Sequence, residues 1–410
     1  MSGTFDAFEQ TFTLSLLSNL ASGYIADKKY PGTGADPLEN QLVANIALAF
    51  KNSAVSNGLG SGWEIKWGPA VYRDSTSLVA QNSATVFYND SVTFDDGLSY
   101  PTYVVAIAAT NFISEYDWVV EDFSVSSTVD WTKYNPTVTP FPAGPPLATL
   151  TPVISQGTAI GVSKIANLTP TNQANGTDSL LAFITGLNNS GNLLPNTRII
   201  FAGHSLAGAL SPTFAFYLEA QKLLSNFQKT LVYPTAGATP GNAAFSIAFS
   251  LALPPQSVIG GNPWQSWNML IHNQYDIVPH AWNLTTLNQI PTLYGNSSSP
   301  GGTPVPGLIN LAILAAVADS AASTTAYTRL INQTFTPSSY GTTPSTAEEF
   351  LGIAAKQHVP AYITTILGSG FPLEFDFPPV NGVTNFKTDL AAIEDIVKWL
   401  EKHFIHSIAA

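Results

Sequence analysis

Ser205 stands in Gly203-His204-Ser205-Leu206-Ala207-Gly208, between an apolar run, Arg198-Ile199-Ile200-Phe201-Ala202, and a small-residue helical pattern from Ala209 to Phe216. A serine at a strand–turn–helix corner can attack a carbonyl carbon, provided the turn lifts its hydroxyl clear of the sheet. Strand and helix pass close at such a corner, so the residues two before and two after must be small. Gly203 and Ala207 meet that need, and Gly208 follows at once. The new helix aims its first N–H groups at the same place, so the Leu206 N–H can donate to a developing oxyanion. The chemistry these residues suit is acyl transfer through a serine. The plainer reading of the same serine is a helix N-cap.

Such a serine needs a base, and the base needs an orienting acid. Asp276 lies just past an apolar run that ends at His272, in Asn273-Gln274-Tyr275-Asp276-Ile277-Val278-Pro279. That is where an orienting carboxylate belongs, although an aspartate capping a turn before Pro279 has the same look. Five histidines follow Ser205: His272, His280, His358, His403 and His406. His358 completes the chain order serine, acid, histidine and is assigned as general base. His280 shares a loop with Asp276, which leaves it little reach toward Ser205, and it is the reserve. His403 and His406 close a terminal amphipathic pattern, where the helix dipole accounts for them. A second oxyanion donor is expected after the early apolar run Tyr103–Ala108. Thr110 offers both an N–H and a hydroxyl there, and Asn111 is the alternative.

The elements that must position these groups can be read from periodicity. Residues 1–55 read as two helices, Phe8–Ile25 and Asn40–Phe50. Trp63–Trp67, Thr85–Tyr88 and Tyr103–Ala108 read as strands. Residues 123–157 are rich in Ser, Thr and Pro and form a candidate lid or cap insertion. Helices are expected over Gly157–Leu168, Asp178–Leu187, Leu308–Ala322, Ser345–Leu367 with a break near Pro360, and Asp389–Ile408. Lys229–Tyr233 and Trp267–His272 are further strands, and residues 295–305 are irregular. Strands alternating with helices predict an α/β-hydrolase, with a mostly parallel central sheet, helices on both faces, and extra helices and cap insertions. One domain over 1–410 is expected, with its catalytic core at about 60–370.

Composition bounds the partners. The chain has 410 residues, 45% of them hydrophobic and only 10% charged, with a net charge of −12. A phosphate backbone would be repelled, which excludes nucleic acid as a partner. There is no cysteine, hence no disulfide, thiolate nucleophile or thiolate metal site. No unbroken apolar stretch of about 18 residues appears, so no transmembrane segment is expected. The start lacks a basic region followed by an apolar one, while sequons such as Asn89 and Asn167 are frequent. A secreted mature form is the favoured location, with a cytoplasmic one left open.

With these residues assembled, the chain resembles the class 3 lipases, the filamentous-fungal lipase type of α/β-hydrolase. Val104 to Asp122, ending Tyr116-Asp117-Trp118-Val119-Val120-Glu121-Asp122, is similar to that family's oxyanion strand and the segment after it. Gly203 to Gly208 is similar to its Gly-His-Ser-Leu-Gly-Gly. Gly237-Ala238-Thr239-Pro240-Gly241-Asn242 resembles its Gly-x-Pro-x-x-Gly-Asn turn. Asp276-Ile277-Val278-Pro279 resembles its Asp-Pro-Val-Pro, and His358 to Tyr362 its His-x-x-x-Tyr. The resemblance makes Ser205, Asp276 and His358 nucleophile, acid and base, and Thr110 and Leu206 the oxyanion donors. It implies hydrolysis of lipophilic, acylglycerol-type esters through an acyl-enzyme, at a lipid–water interface, with no cofactor and no metal. The chain departs from the family where Ala108-Ala109-Thr110 replaces its Arg-Gly-Thr or Arg-Gly-Ser. Two other functions stay in view: an esterase for bulky feruloyl or carotenoid esters, and an inactive hydrolase fold used for binding.

Overall fold

The computed structural model describes residues 4–21, 23–25, 36–73, 77, 79–109, 124–378 and 383–385. Seven strands form its main sheet: β1 (Glu64–Tyr72), β2 (Asn82–Thr93), β3 (Ser99–Ala109), β4 (Arg198–His204), β5 (Lys229–Thr235), β6 (Leu270–Asn273) and β7 (Asn332–Phe335). Their order in space follows their order in the chain. β1, β2 and β3 pair antiparallel. From β3 to β7 every neighbour is parallel. Parallel neighbours require crossovers, and helices occur in each of these: α4 (Gln156–Ala166) and α5 (Leu180–Asn189) before β4, α6 (Leu206–Ala220) before β5, α7 (Ala243–Ala252) before β6, and α8 (Gly307–Ala321) before β7. α1 (Ala7–Leu17), α2 (Pro37–Ala49) and α3 (Ser53–Leu59) precede the sheet, and α9 (Ala347–His358) and α10 (Pro360–Ile366) follow it.

Side chains alternate across a strand, so a central strand buried on both sides feeds two cores. All seven residues of β4 are buried. Ile199 and Phe201 join a cluster with Val105, Ile107, Val162, Leu210 and Phe214, on the side covered by α4 and α6. Ile200 and Ala202 join Val104, Ala106, Phe8, Phe12, Leu42 and Tyr362 on the other, under the N-terminal helices and α10. Burying a side chain such as Phe201 contributes about 1.5–3 kcal/mol. Local signals start these helices: Asp6 and Glu9 form a capping box on α1, and Ser155 accepts from the Thr158 N–H at α4.

Several expectations shift. The first helix stops at Leu17, and Gly23–Ile25 pairs antiparallel with Val383–Asn385. Glycine suits position 23, where a Cβ would strike the Val383 side chain, and its N–H donates to Gln41 Oε1. The strand expected over Trp267–His272 is split at Asn268, whose φ is +60° and whose side chain accepts from the Val232 N–H at 2.8 Å. Ser266–Trp267 therefore pairs with Gln256–Ser257, outside the main sheet. Helix α3 and the short edge strand β7 were not foreseen. The helix expected over Asp389–Ile408 lies outside the described residues.

Candidate active site

Ser205 joins β4 to α6 with φ +62° and ψ −127°, a backbone conformation that costs a non-glycine residue on the order of 1–3 kcal/mol. Packing holds it there. The Ser205 N–H donates to the Thr235 carbonyl at 3.0 Å. A Cβ on Gly203 would collide with the Ala207 carbonyl, and one on Gly208 with the Thr235 carbonyl and Gly237. The Ala207 methyl occupies the room that Gly203 leaves open, which is why alanine is accommodated at that position.

Beside this corner the chain brings together the acid and the histidine expected from their order. His358 Nε2 lies 2.8 Å from Ser205 Oγ. Its Nδ1 lies 3.0 and 2.9 Å from the two carboxylate oxygens of Asp276. All three side chains are buried. An ionised carboxylate only accepts, so Nδ1 carries the proton and Nε2 faces the hydroxyl with its lone pair. That is the tautomer a general base needs.

The supporting contacts explain how three distant segments meet. α9 ends at His358 because Pro360 opens α10 and cannot donate into the preceding turn. One turn later Tyr362 donates its hydroxyl to Asp276 Oδ2 at 2.9 Å and accepts from the Asn273 N–H at 2.9 Å. Burial, then the charge of Asp276, hold the Tyr362 phenol well above its ordinary range, so it stays a donor. Asn273 Nδ2 donates to the Gln357 carbonyl at 2.8 Å and to its Oε1 at 2.7 Å, tying the end of β6 to the end of α9. His204 braces the same helix end. Its Nε2 donates to the His358 carbonyl at 2.8 Å, and the Thr235 hydroxyl donates to its Nδ1 at 2.9 Å. Burial first, and His358 second, push its ionisation down to about 3, so it acts as a neutral brace.

His280 does not reach Ser205. Its Nδ1–H donates to the Asp276 carbonyl at 2.8 Å, and the place beside the serine belongs to His358. Leu206 opens α6, in the turn whose N–H groups have no intrahelical acceptor. Thr110 and Asn111 lie outside the described residues, as does the segment through Asp122. β3 leads toward them, with Ile107 paired to Gly203 at the elbow. Sequence reasoning missed Tyr362, His204, Asn273 and Gln357 as supports. The His-x-x-x-Tyr spacing was the one visible signal, although the two residues fall on successive helices, α9 and α10. Among the described residues no cluster of histidines and carboxylates is suited to a metal ion.

The fold and this arrangement define the lipase-type α/β-hydrolases. The class 3 lipase family model matches residues 179–285, a span that contains Ser205 and Asp276. The resemblance to that family therefore stands, and the chain is an ester hydrolase of the triacylglycerol-lipase-like kind. Among solved structures it is similar to M37 lipase, at 23% identity and a TM-score of 0.63, over 89% of this chain and 94% of that one. This likeness shows a shared fold. The lipase of Rhizopus microsporus var. chinensis is more distant, at 15% identity and a TM-score of 0.38 over 69% and 72% of the two chains. So is the Rhizomucor miehei lipase–propeptide complex, at 16% identity and 0.35 over 67% and 62%. No curated protein sequence matches the chain.

Proposed function

We propose that Ser205, His358 and Asp276 hydrolyse lipophilic carboxylic esters of the acylglycerol type. The observation that carries this reading is the unbroken line from Ser205 Oγ through His358 to Asp276, with contacts of 2.8 and 2.9 Å. Ser205 Oγ attacks the carbonyl carbon while its proton passes to His358 Nε2. The carbonyl oxygen becomes an oxyanion facing the Leu206 N–H, with Thr110, or its neighbour Asn111, as the second donor. The tetrahedral centre collapses, the carbon–alkoxide bond breaks, and the alcohol leaves with the proton from Nε2. Water then attacks the acyl-enzyme by the same route, and the acid and free Ser205 are released. Asp276 stays ionised throughout, fixing the imidazole and stabilising the imidazolium.

We assign residues 1–410 to one catalytic unit and the cover of the site to the segment 123–157. Support comes from the turn before α7: Asn242 Nδ2 donates to the carbonyls of Ala148 and Thr151 at 3.0 and 2.9 Å. The same turn begins at Gly237, which packs on Gly208 of the elbow helix. Substrate meeting the enzyme at a lipid–water interface and secretion complete the reading. Among the described residues no helix is long and apolar enough to cross a membrane. The test is hydrolysis of acyl esters of increasing chain length, with and without an emulsion. Turnover that favours emulsified medium- and long-chain esters supports the reading. Turnover restricted to feruloyl or carotenoid esters would replace it with the bulky-ester reading.

A further inference from the structure

The segment 123–157 carries two leucines turned outward: Leu147 is 83% exposed and Leu150 89%. The backbone between them is pinned. The Ala148 carbonyl accepts from Asn242 Nδ2 at 3.0 Å and from the Thr325 hydroxyl at 2.9 Å. The Thr151 carbonyl accepts from the same Asn242 Nδ2 at 2.9 Å, and Ala148 itself is buried. Leu147 has φ +54°, a conformation that residues with a Cβ rarely adopt, and the Thr149 N–H donates to its carbonyl at 2.8 Å. A loop that only had to turn would carry glycine or asparagine at such a position. This one holds two large apolar side chains in water at fixed places.

Asn242 also settles which way the loop faces. It caps α7 after the turn that leaves β5 at Thr235, and the Thr235 carbonyl accepts the Ser205 N–H. The two leucines therefore stand at the edge of the sheet that carries Ser205. No Asp, Glu, Lys or Arg occurs between Lys133 and Lys164, nor between Lys229 and Asp276, so the loop and the helix it rests on are both free of charge. Ile259 offers a contrast. It is fully exposed, but its neighbour Val258 lines a cavity with Asp95, Asp96, Arg198 and Lys229, at the opposite edge where β4 and β5 begin.

We propose that Leu147 and Leu150 are fixed anchors that insert into a lipid surface of no net charge and hold the catalytic edge of the sheet against it. Binding to such a surface scales with the apolar area buried, and no charge has to leave water. An anionic layer is a poor partner for a chain of net charge −12. Two side chains also fall well short of the roughly 800 Å² per partner that a stable protein dimer buries. Because the loop is tied to Asn242 and Thr325, docking needs no opening of this part of the chain. The inference rests on the reading of lipophilic esters as substrate, and adds which residues meet their surface.

The test is flotation of the full chain with triolein droplets coated in phosphatidylcholine, carried in Ser205→Ala so that binding is read without turnover. Adding Leu147→Ser with Leu150→Ser should weaken binding about tenfold or more. Leu150→Trp, with a larger apolar body, should strengthen it and covers the case in which the double variant fails to fold. Ile259→Ser removes an equally exposed side chain from the opposite edge and should leave binding as it was. In the active chain, the ratio of emulsified to soluble ester turnover should fall in step with droplet binding. Emulsified esters hydrolysed with droplet binding unchanged in both loop variants would overturn the anchors and leave the ester reading intact. Loss of binding in Ile259→Ser equal to that of the double variant would also overturn them. So would a dimer in sedimentation that the double variant dissociates, which assigns the leucines to a second copy of the chain. No droplet binding and no turnover of emulsified esters would overturn both the anchors and the reading beneath them.

Discussion

His272 and Asn273 are neighbours on β6, yet the two faces they serve are opposite in kind. On the Asn273 face every polar group described above is matched: Asn273 with Gln357 and Tyr362, Tyr362 with Asp276, Asp276 with His358, and His358 with Ser205. On the His272 face the Arg329 guanidinium and the His272 ring carry buried donors that nothing meets. One strand thus presents a closed network to one side and an unsatisfied one to the other, because successive side chains alternate. Closure is what fixed geometry demands, since a base must sit within hydrogen-bond reach of its nucleophile. Satisfaction of hydrogen bonds thus distinguishes the side that holds Ser205, His358 and Asp276 together from the side where buried donors go unmet.

The contrast can be broken at its strongest point first. Asp276→Asn keeps the shape of the closed network but puts an amide where His358 Nδ1 needs an acceptor. Turnover should fall by about 10⁴-fold through loss of the correct tautomer, measured as kcat on a soluble acyl ester. The next effect is on stability in acid. His204 and His272, one on each face, both ionise at about 3 when folded, against an ordinary value near 6.5. Below 6.5 the unfolded chain binds protons that the folded chain refuses. Stability is therefore lost as pH falls from 6.5 toward 3, at up to about 2.7 kcal/mol per pH unit for two protons. Urea unfolding across that window checks the slope. His204→Asn should flatten the slope by removing one of these depressed histidines.

Two smaller effects sharpen the picture. Tyr362→Phe strips one donor from Asp276 and the acceptor of the Asn273 N–H. It should cost about 1–3 kcal/mol in denaturant unfolding, with a smaller loss of turnover than Asp276→Asn. Ala207→Gly restores the stricter elbow pattern but should gain nothing in rate. It should cost about 0.5–1 kcal/mol by loosening the first turn of α6, read as a lower thermal midpoint with unchanged kcat.

Much of this was legible in the residues. The elbow announced itself because Gly203, Ser205 and Gly208 answer a steric demand between a strand and a helix, and such demands leave small residues at set offsets. Asp276 and His358 followed from chain order, and the structure seats His358 against Ser205 with Asp276 behind it. The parallel half of the sheet was visible as apolar runs, since strands buried on both faces need them. What escaped depended on distant partners. β7 reads Asn332-Gln333-Thr334-Phe335, too polar and too short to mark itself, and exists through its pairing with β6. Asn268 splits a strand because its side chain finds Val232, a residue 36 places earlier. Tyr362 and His204 matter through atoms of Asp276 and His358, which no local pattern displays. No local pattern marks Arg329, which among the described residues has no ion-paired carboxylate.

The central claim, that Ser205 is the nucleophile of this site, is tested most directly by reaction with a fluorophosphonate probe followed by peptide mapping. A single adduct on Ser205 in the parent chain, with neither adduct nor ester turnover in Ser205→Ala, is the expected result. Turnover retained in Ser205→Ala, or an adduct on another residue with Ser205 unmodified, would contradict it.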